Sequence, residues 1–198
     1  MQIGVLALQG DIQAHARLLE ELGQTPREVR RAEELEGLHG LVLPGGESTT
    51  MWHFMRGSGL DRALQGFARA GGALLGTCAG AILLAREVLN PRGSGLDVLD
   101  ITVQRNGYGR QSESRVVRAT TDFGAADWIE AVLIRAPRIV RVGVGVRVCA
   151  RLGDDPIWVE SDQVIATTFH PELSNELRVH RRFLERAANA AAYRERAA

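Results

Sequence analysis

Apolar residues along this chain fall into short unbroken runs alternating with amphipathic stretches. Gln2 to Leu8 is nearly continuous in apolar character and is bounded by Gln9-Gly10-Asp11. Runs of this length suit strands buried on both faces of a parallel sheet. Asp11 is placed to cap a helix, and Ile12, Leu18, Leu19 and Leu22 recur at helical spacing until Gly23. Further strands are predicted over Thr25–Val29, Gly40–Leu43 and Ala73–Leu75, with helices over Thr49–Met55 and Leu60–Ala70 and from Cys78 to about Glu87. The β-α-β-α alternation predicts an α/β three-layer sandwich around a mostly parallel central sheet. From Val98 the texture changes. Ile101–Val103, Arg115–Ala119, Ile129–Ile134, Arg138–Val142, Val144–Arg151 and Pro156–Val159 read as short strands, expected to form an antiparallel edge extension of the same sheet. Val164–Phe169 and a helix from about Asn175 to Tyr193 complete the pattern.

No linker, repeat or low-complexity tract interrupts the 198 residues, so a single domain over 1–198 is expected. The longest early apolar run, Ile3 to Leu8, is too short to span a bilayer, and no basic segment precedes it. No membrane association and no signal peptide are expected. The 24 basic and 24 acidic side chains cancel, which argues against a polyanion binder, so no nucleic-acid partner is expected. Every basic residue is arginine; the chain has no lysine. A Schiff-base lysine, a lysine general base and a P-loop lysine are therefore excluded. Cys78 and Cys149 lie far apart without metal-ligand or disulfide spacing, which suits a reducing cytoplasm; no metal is expected.

Cys78 stands in G-x-C-x-G between an apolar strand and an apparent helix. A tight strand-to-helix turn of this kind presents a nucleophile above a sheet, and small residues beside it leave room for the bend. The helix start would lower the thiol pKa, and the N–H of Ala79 could donate to a developing oxyanion. The pattern alone also fits a buried free cysteine, the reading given to Cys149. Further on, Pro171 should keep His170 extended, and residues two apart in extended chain face the same way. Glu172 could then orient the imidazole, which supplies nucleophile, base and orienter. A loop histidine beside a helix-capping glutamate is the alternative. Pro44-Gly45-Gly46-Glu47-Ser48-Thr49-Thr50 offers backbone N–H groups at the sheet's carboxyl edge, or an ordinary turn with Ser48 or Thr49 as a helix cap.

Seven stretches run in order across nearly the whole chain: V-L-A-L-Q-G-D at 5–11, L-P-G-G-E-S-T-T-M at 43–51, G-T-C-A-G at 76–80, D-I-T-V-Q-R-N at 100–106, Y-G-R-Q at 108–111, I-R-A-P at 134–137 and T-F-H-P-E-L at 168–173. Together they resemble the class I (triad) glutamine amidotransferases, specifically the glutaminase subunits of pyridoxal 5'-phosphate synthase. The resemblance implies hydrolysis of L-glutamine by Cys78, His170 and Glu172 through a thioester, without a cofactor. It implies an oxyanion hole from Gly46 and Ala79, and glutamine held by Gly46, Glu47, Ser48, Arg105, Ile134 and Arg135. It also implies a partner, the synthase subunit, which receives the ammonia and docks at Gln9 and Gly10.

Three positions depart from that family's pattern: Ala14 where Glu is often followed by His15, Gly107 for a bulkier residue and Arg115 for an aromatic. His15 is accordingly given no catalytic role. Trp52 and His53 read as core and helix surface. Arg178, Arg181, Arg182 and Arg186 read as a solvated helix face pairing with Glu176 and Glu185. Three other readings fit the same residues: a glutaminase feeding another acceptor, a Cys-His-Glu peptidase, and a silent regulatory subunit.

Overall fold

A computed structural model describes residues 1–93, 95–108, 115–123, 127–174 and 176–197. The Gly109–Gln111 part of the Y-G-R-Q motif, Ser114 and the expected helix start at Asn175 lie outside these.

Five strands form the parallel half of a nine-stranded mixed sheet: β1 (Ile3–Leu6), β2 (Arg27–Val29), β3 (Gly40–Leu43), β4 (Ala73–Thr77) and β12 (Val164–Thr167). Beyond β12 the sheet continues antiparallel through β11 (Asp155–Glu160), β10 (Arg147–Leu152), β7 (Arg115–Thr121) and β8 (Trp128–Leu133), in the order β2-β1-β3-β4-β12-β11-β10-β7-β8. The central strands are buried on both faces because their alternate residues enter different cores. Leu41, Leu43 and Leu74 join one apolar cluster with Met51, Met55, Leu60 and Leu64, which come from α2 (Ser48–Ser58) and α3 (Leu60–Arg69). Val42, Ala73 and Leu75 join the other with Leu19 of α1 (Ile12–Glu21) and Val179, Phe183 and Ala187 of α5 (Arg178–Ala197). Helices therefore cover both faces. Asp11 caps α1 as expected, its side chain accepting from Ala14 N–H at 3.2 Å.

Two expectations are corrected. The helix following Cys78, α4 (Ala79–Leu84), stops early, and Ala85–Leu89 forms β5. The carbonyls that would have continued the helix are taken by another segment. Leu83 O accepts from Leu96 N–H at 2.7 Å and Leu84 O from Val98 N–H at 3.2 Å. A short, wholly apolar run cannot distinguish buried helix from buried strand by periodicity. The later strands also do not all extend one sheet. β6 (Leu99–Gln104) pairs with β5 and with β9 (Arg138–Val142) in a separate three-stranded sheet. Its Ile101, Val103 and Ile139 pack into the cluster of α2 and α3, so it lies over that face.

The arginine stripe of α5 is likewise more than a solvated face. Arg178 pairs with Glu176, as expected, and also with Asp127. Arg182 and Arg186 converge on Glu160 of β11 at 2.7 and 2.6 Å, and Trp158 Nε1–H donates to the same carboxylate at 3.0 Å. Burial pushes the Glu160 pKa up, but the two guanidinium groups outweigh it and hold the carboxyl below its ordinary value. Such a group stabilises the fold above its unfolded pKa and loses that contribution as pH falls through its folded pKa. Glu160→Gln should destabilise the protein at pH 7 by about 3 kcal/mol, the lower end for breaking a buried pair whose arginines keep some solvent. Urea denaturation at pH 7 and below pH 4 measures this; the gap between variant and parent should shrink in acid, and a pH-independent gap contradicts the assignment.

Candidate active site

The carboxyl ends of four parallel strands deliver the candidate residues to one edge, where open α/β sheets bind ligands. The chain leaves β1 into Gln9-Gly10, β3 into Gly45-Gly46, β4 into Cys78 and β12 into His170. In-register pairing of β3, β4 and β12, with Leu43 opposite Gly76 and Thr77 opposite Thr167, brings these exits side by side.

Cys78 takes the positive φ of 49° (ψ −102°), a sparsely populated conformation for a residue with a side chain. Its N–H donates to Thr167 O at 2.8 Å, which ties the turn to the neighbouring strand. The turn is tight enough that a Cβ on Gly80 would run into the Leu43 carbonyl oxygen. Both glycines of G-x-C-x-G are thus required by backbone contact, as the motif suggested, since a Cβ on Gly76 would stand 2.6 Å from the Gly80 carbonyl carbon.

His170 is non-helical (φ −104°, ψ 87°), and its N–H donates to Val132 O at 2.9 Å. The extended reading does not carry on to Glu172, because Pro171–Leu173 forms a 3₁₀ turn closed by Leu173 N–H to His170 O. That turn, not strand alternation, brings Glu172 Oε1 to 2.7 Å from His170 Nδ1. The absence of a side chain at Gly45 makes room for the imidazole: a Cβ there would collide with His170 Cε1 and lie 3.4 Å from Cys78 Cβ. Cys78, His170 and Glu172 are each less than one-tenth exposed. Burial opposes a charged His170, but the adjacent Cys78 and the hydrogen-bonded Glu172 carboxylate outweigh it and raise its pKa to about 10. Burial also opposes ionised Glu172, and the His15 and His170 rings outweigh it, holding the carboxyl far below the usual range.

A cavity of about 240 Å³ opens in front of the sulfur. Gly46, Glu47, Ser48, Arg105, Ile134 and Arg135 all line it, together with Cys78 and Ala79. Arg105 Nη1 donates to Thr49 Oγ1 at 3.2 Å, while its buried Nε has no partner among the described residues and burial lowers its pKa. A guanidinium so placed favours an incoming anion. Arg135 pairs with Glu47 at 3.2 Å across the mouth, and the Ile134 carbonyl lies 3.9 Å from the Cys78 sulfur. Gln9 and Gly10 sit against this loop rather than in the cavity. Gln9 Oε1 accepts from Glu47 N–H at 3.3 Å, and Gly10 packs backbone to backbone on Gly45. Neither Ser48 nor Thr49 caps α2; Glu47 occupies the cap position without a side-chain bond.

Sequence reasoning missed four polar groups here. Thr49, Asn90 and Asn106 line the cavity, Thr49 and Asn106 within motifs already singled out. More consequential is His15, which is fully buried with its Nε2 at 3.4 Å from Glu172 Oε2 and 3.2 Å from Thr77 Oγ1. Its signal was a histidine inside the apolar stripe of α1, in step with Ile12, Leu18 and Leu19. Cys149 is a fully buried residue of β10, as read, and burial first, then Glu160, pushes its thiol up to about 12.

Several known proteins are similar to this chain over most of its length. The pyridoxal 5'-phosphate synthase subunit PdxT of Deinococcus radiodurans is 51% identical over 197 residues, covering 96% of this chain and 100% of the relative. The PdxT of Thermus thermophilus is 48% identical over 187 residues, covering 93% of this chain and 97% of the relative. A crystal structure of a glutamine amidotransferase superposes with a TM-score of 0.88 at 45% identity, over 95% of this chain and 100% of that one. The structure of PurLQS from Thermotoga maritima, at 16% identity and a TM-score of 0.71 over 95% of this chain and 97% of that one, shares the fold. Residues 5–189 match the profile of the SNO glutamine amidotransferase family, and the chain belongs to that family.

Proposed function

We propose that this chain, acting as one domain over 1–198, hydrolyses L-glutamine and passes the ammonia to a synthase subunit that makes pyridoxal 5'-phosphate. The observation that carries this reading is the buried row Cys78–His170–Glu172 at the inner end of a small cavity with Arg105 in its wall. A cavity of about 240 Å³ suits a single amino acid better than a peptide, which favours a glutaminase over a peptidase. Arg105 offers its guanidinium to the substrate α-carboxylate, and Glu47 offers a carboxylate to the α-ammonium. Gly46, Ser48, Ile134 and Arg135 complete the glutamine-binding set.

The chemistry follows from the row. Cys78 thiolate attacks the carboxamide carbon, and the oxygen of the tetrahedral adduct takes N–H bonds from Ala79 and Gly46. His170, held by Glu172 through Nδ1, donates its other ring proton to the leaving nitrogen, and the C–N bond breaks to release ammonia. The γ-glutamyl thioester is then attacked by water, which gives its proton to His170; the C–S bond breaks, and glutamate leaves. None of these steps calls for a lysine, a metal or an organic cofactor.

The partner is assigned from the PdxT relatives and docks at the Gln9–Gly10 turn. Contact there reaches the candidate oxyanion loop directly, through Gln9 Oε1 on Glu47 N–H and Gly10 on Gly45. No helix among the described residues is long and apolar enough to cross a membrane. With both cysteines free, a reducing cytoplasm is the proposed location, without nucleic acid or membrane as partner.

Three outcomes test this reading. Cys78→Ala should lower glutamate release from glutamine by roughly 10³-fold or more, as loss of a nucleophile does in comparable enzymes; appreciable residual turnover would contradict it. Arg105→Ala should raise KM for glutamine roughly 10- to 100-fold with kcat little changed, the value of one charge-assisted hydrogen bond; unaltered kinetics would remove Arg105 from the binding set. Glutaminase turnover should rise sharply when the synthase subunit is added, and full activity of the isolated chain would refute the coupling.

A further inference from the structure

The orienting carboxylate uses only one oxygen on the imidazole. Glu172 Oε1 holds His170, whereas Oε2 is enclosed without a well-formed hydrogen bond among the described residues. A buried carboxylate with one oxygen unserved tends to take up a proton or to rotate away from its partner. The nearest donor to Oε2 is His15 Nε2, at 3.4 Å. That nitrogen also lies 3.2 Å from the hydroxyl of Thr77, the residue before Cys78. Behind it, His15 Nδ1 is 3.0 Å from His180 Nε2 on α5, and both rings are completely buried.

The hydrogen-bond inventory selects among the tautomers. One proton lies between His15 Nδ1 and His180 Nε2. If neutral His15 carried it, its Nε2 would turn a lone pair toward the Glu172 carboxylate, and His180 would be left with a buried Nδ1–H that has no acceptor among the described residues. If His180 carries it, His15 is free to bear its proton on Nε2, directed at Glu172 Oε2. The second arrangement satisfies the charged group and leaves only a neutral lone pair, on His180 Nδ1, without a partner. Burial lowers the His180 pKa to about 3, so its ring is neutral and can donate from Nε2. The ionisable groups facing Glu172 are His170 in its own segment and His15 from α1, with His180 from α5 behind. β4 presents the Thr77 hydroxyl, and β8 presents the Val132 carbonyl to His170 N–H.

We propose that His15 is a positioning residue of the glutaminase reaction. Its Nε2–H supports the second oxygen of Glu172, and His180 fixes the His15 tautomer, so the row runs His180–His15–Glu172–His170–Cys78. This role rests on the glutaminase reading above. His15 touches neither substrate nor the reacting sulfur; it keeps Glu172 ionised and aimed.

The test uses the complex of the full chain with its synthase partner. It compares the parent with His15→Phe, which keeps the ring shape without a donor, and His15→Gln, which keeps an N–H near the Nε2 position. His15→Phe should lower kcat roughly 10- to 100-fold, the range of one hydrogen bond to a charged group, with KM for glutamine within about twofold. Its acid limb of kcat/KM should move to higher pH, because Glu172 without the donor protonates sooner. His15→Gln should recover most of the rate. An unchanged kcat and acid limb in His15→Phe overturns the proposal, as does equal loss in both variants, which would make the role one of packing. If His15→Phe fails to fold, His180→Leu against His180→Gln gives the same comparison one step out, with equal loss again overturning it. A wild-type complex that releases no glutamate overturns the glutaminase reading itself, whereas an active parent with an unaffected His15→Phe overturns only the role of His15.

Discussion

The turn between β4 and α4 carries the constraint on which the site depends. Cys78 occupies a positive-φ conformation that a residue with a side chain adopts only when its surroundings enforce it. Enforcement comes from both flanks. Parallel pairing with β12 takes up the Cys78 N–H, and the bare Cα of Gly80 rests against the Leu43 carbonyl at the end of β3. The same strand exits supply Gly45 and Gly46 on one side and His170 on the other, so the sheet register that strains the cysteine also sets its neighbours. Strain and preorganisation here have one cause.

Burial gives the site its electrostatics. Glu172 and His170 would each favour neutrality if buried alone, yet each lies against a partner that favours its charge. The pairing continues into α1 through His15 and into α5 through His180, so helices on the face opposite α2 and α3 end at the same carboxylate. Helix α1 begins just after the Gly10 turn that packs on Gly45, and one turn later it reaches Glu172. The candidate oxyanion loop and Glu172 are therefore joined through one short helix.

Much of this was legible from local pattern. The Gly40–Leu43 strand, the Asp11 cap and the glycines of G-x-C-x-G each depend on nearby residues, and each stands where the sequence places it. What depends on distant partners was not legible. The helix after Cys78 ends early because Leu96 and Val98 take its carbonyls, and the β5-β6-β9 sheet separates because strand patterning does not name pairing partners. His15 and His180 meet across 165 positions, and Glu160 meets Arg182 and Arg186 across 22 and 26. In each case a polar residue interrupts an apolar stripe, which marks a buried group without identifying what it touches. The absence of lysine sharpens the division of labour. Amine–carbonyl steps that need a protein lysine fall to the partner, and this chain retains amide hydrolysis.

The two cysteines provide the most direct test. Cys78 lies at the cavity beside His170, whereas Cys149 is sealed in β10 with its thiol pushed up to about 12. The full chain with its synthase partner should be exposed to a glutamine analogue carrying an electrophilic ketone in place of the carboxamide, with and without excess glutamine, and the adduct mapped by peptide mass spectrometry. Modification confined to Cys78, prevented by glutamine and accompanied by loss of glutaminase turnover, is the expected result. Modification of Cys149, or an unmodified Cys78 in a complex that has lost turnover, would contradict Cys78 as the nucleophile.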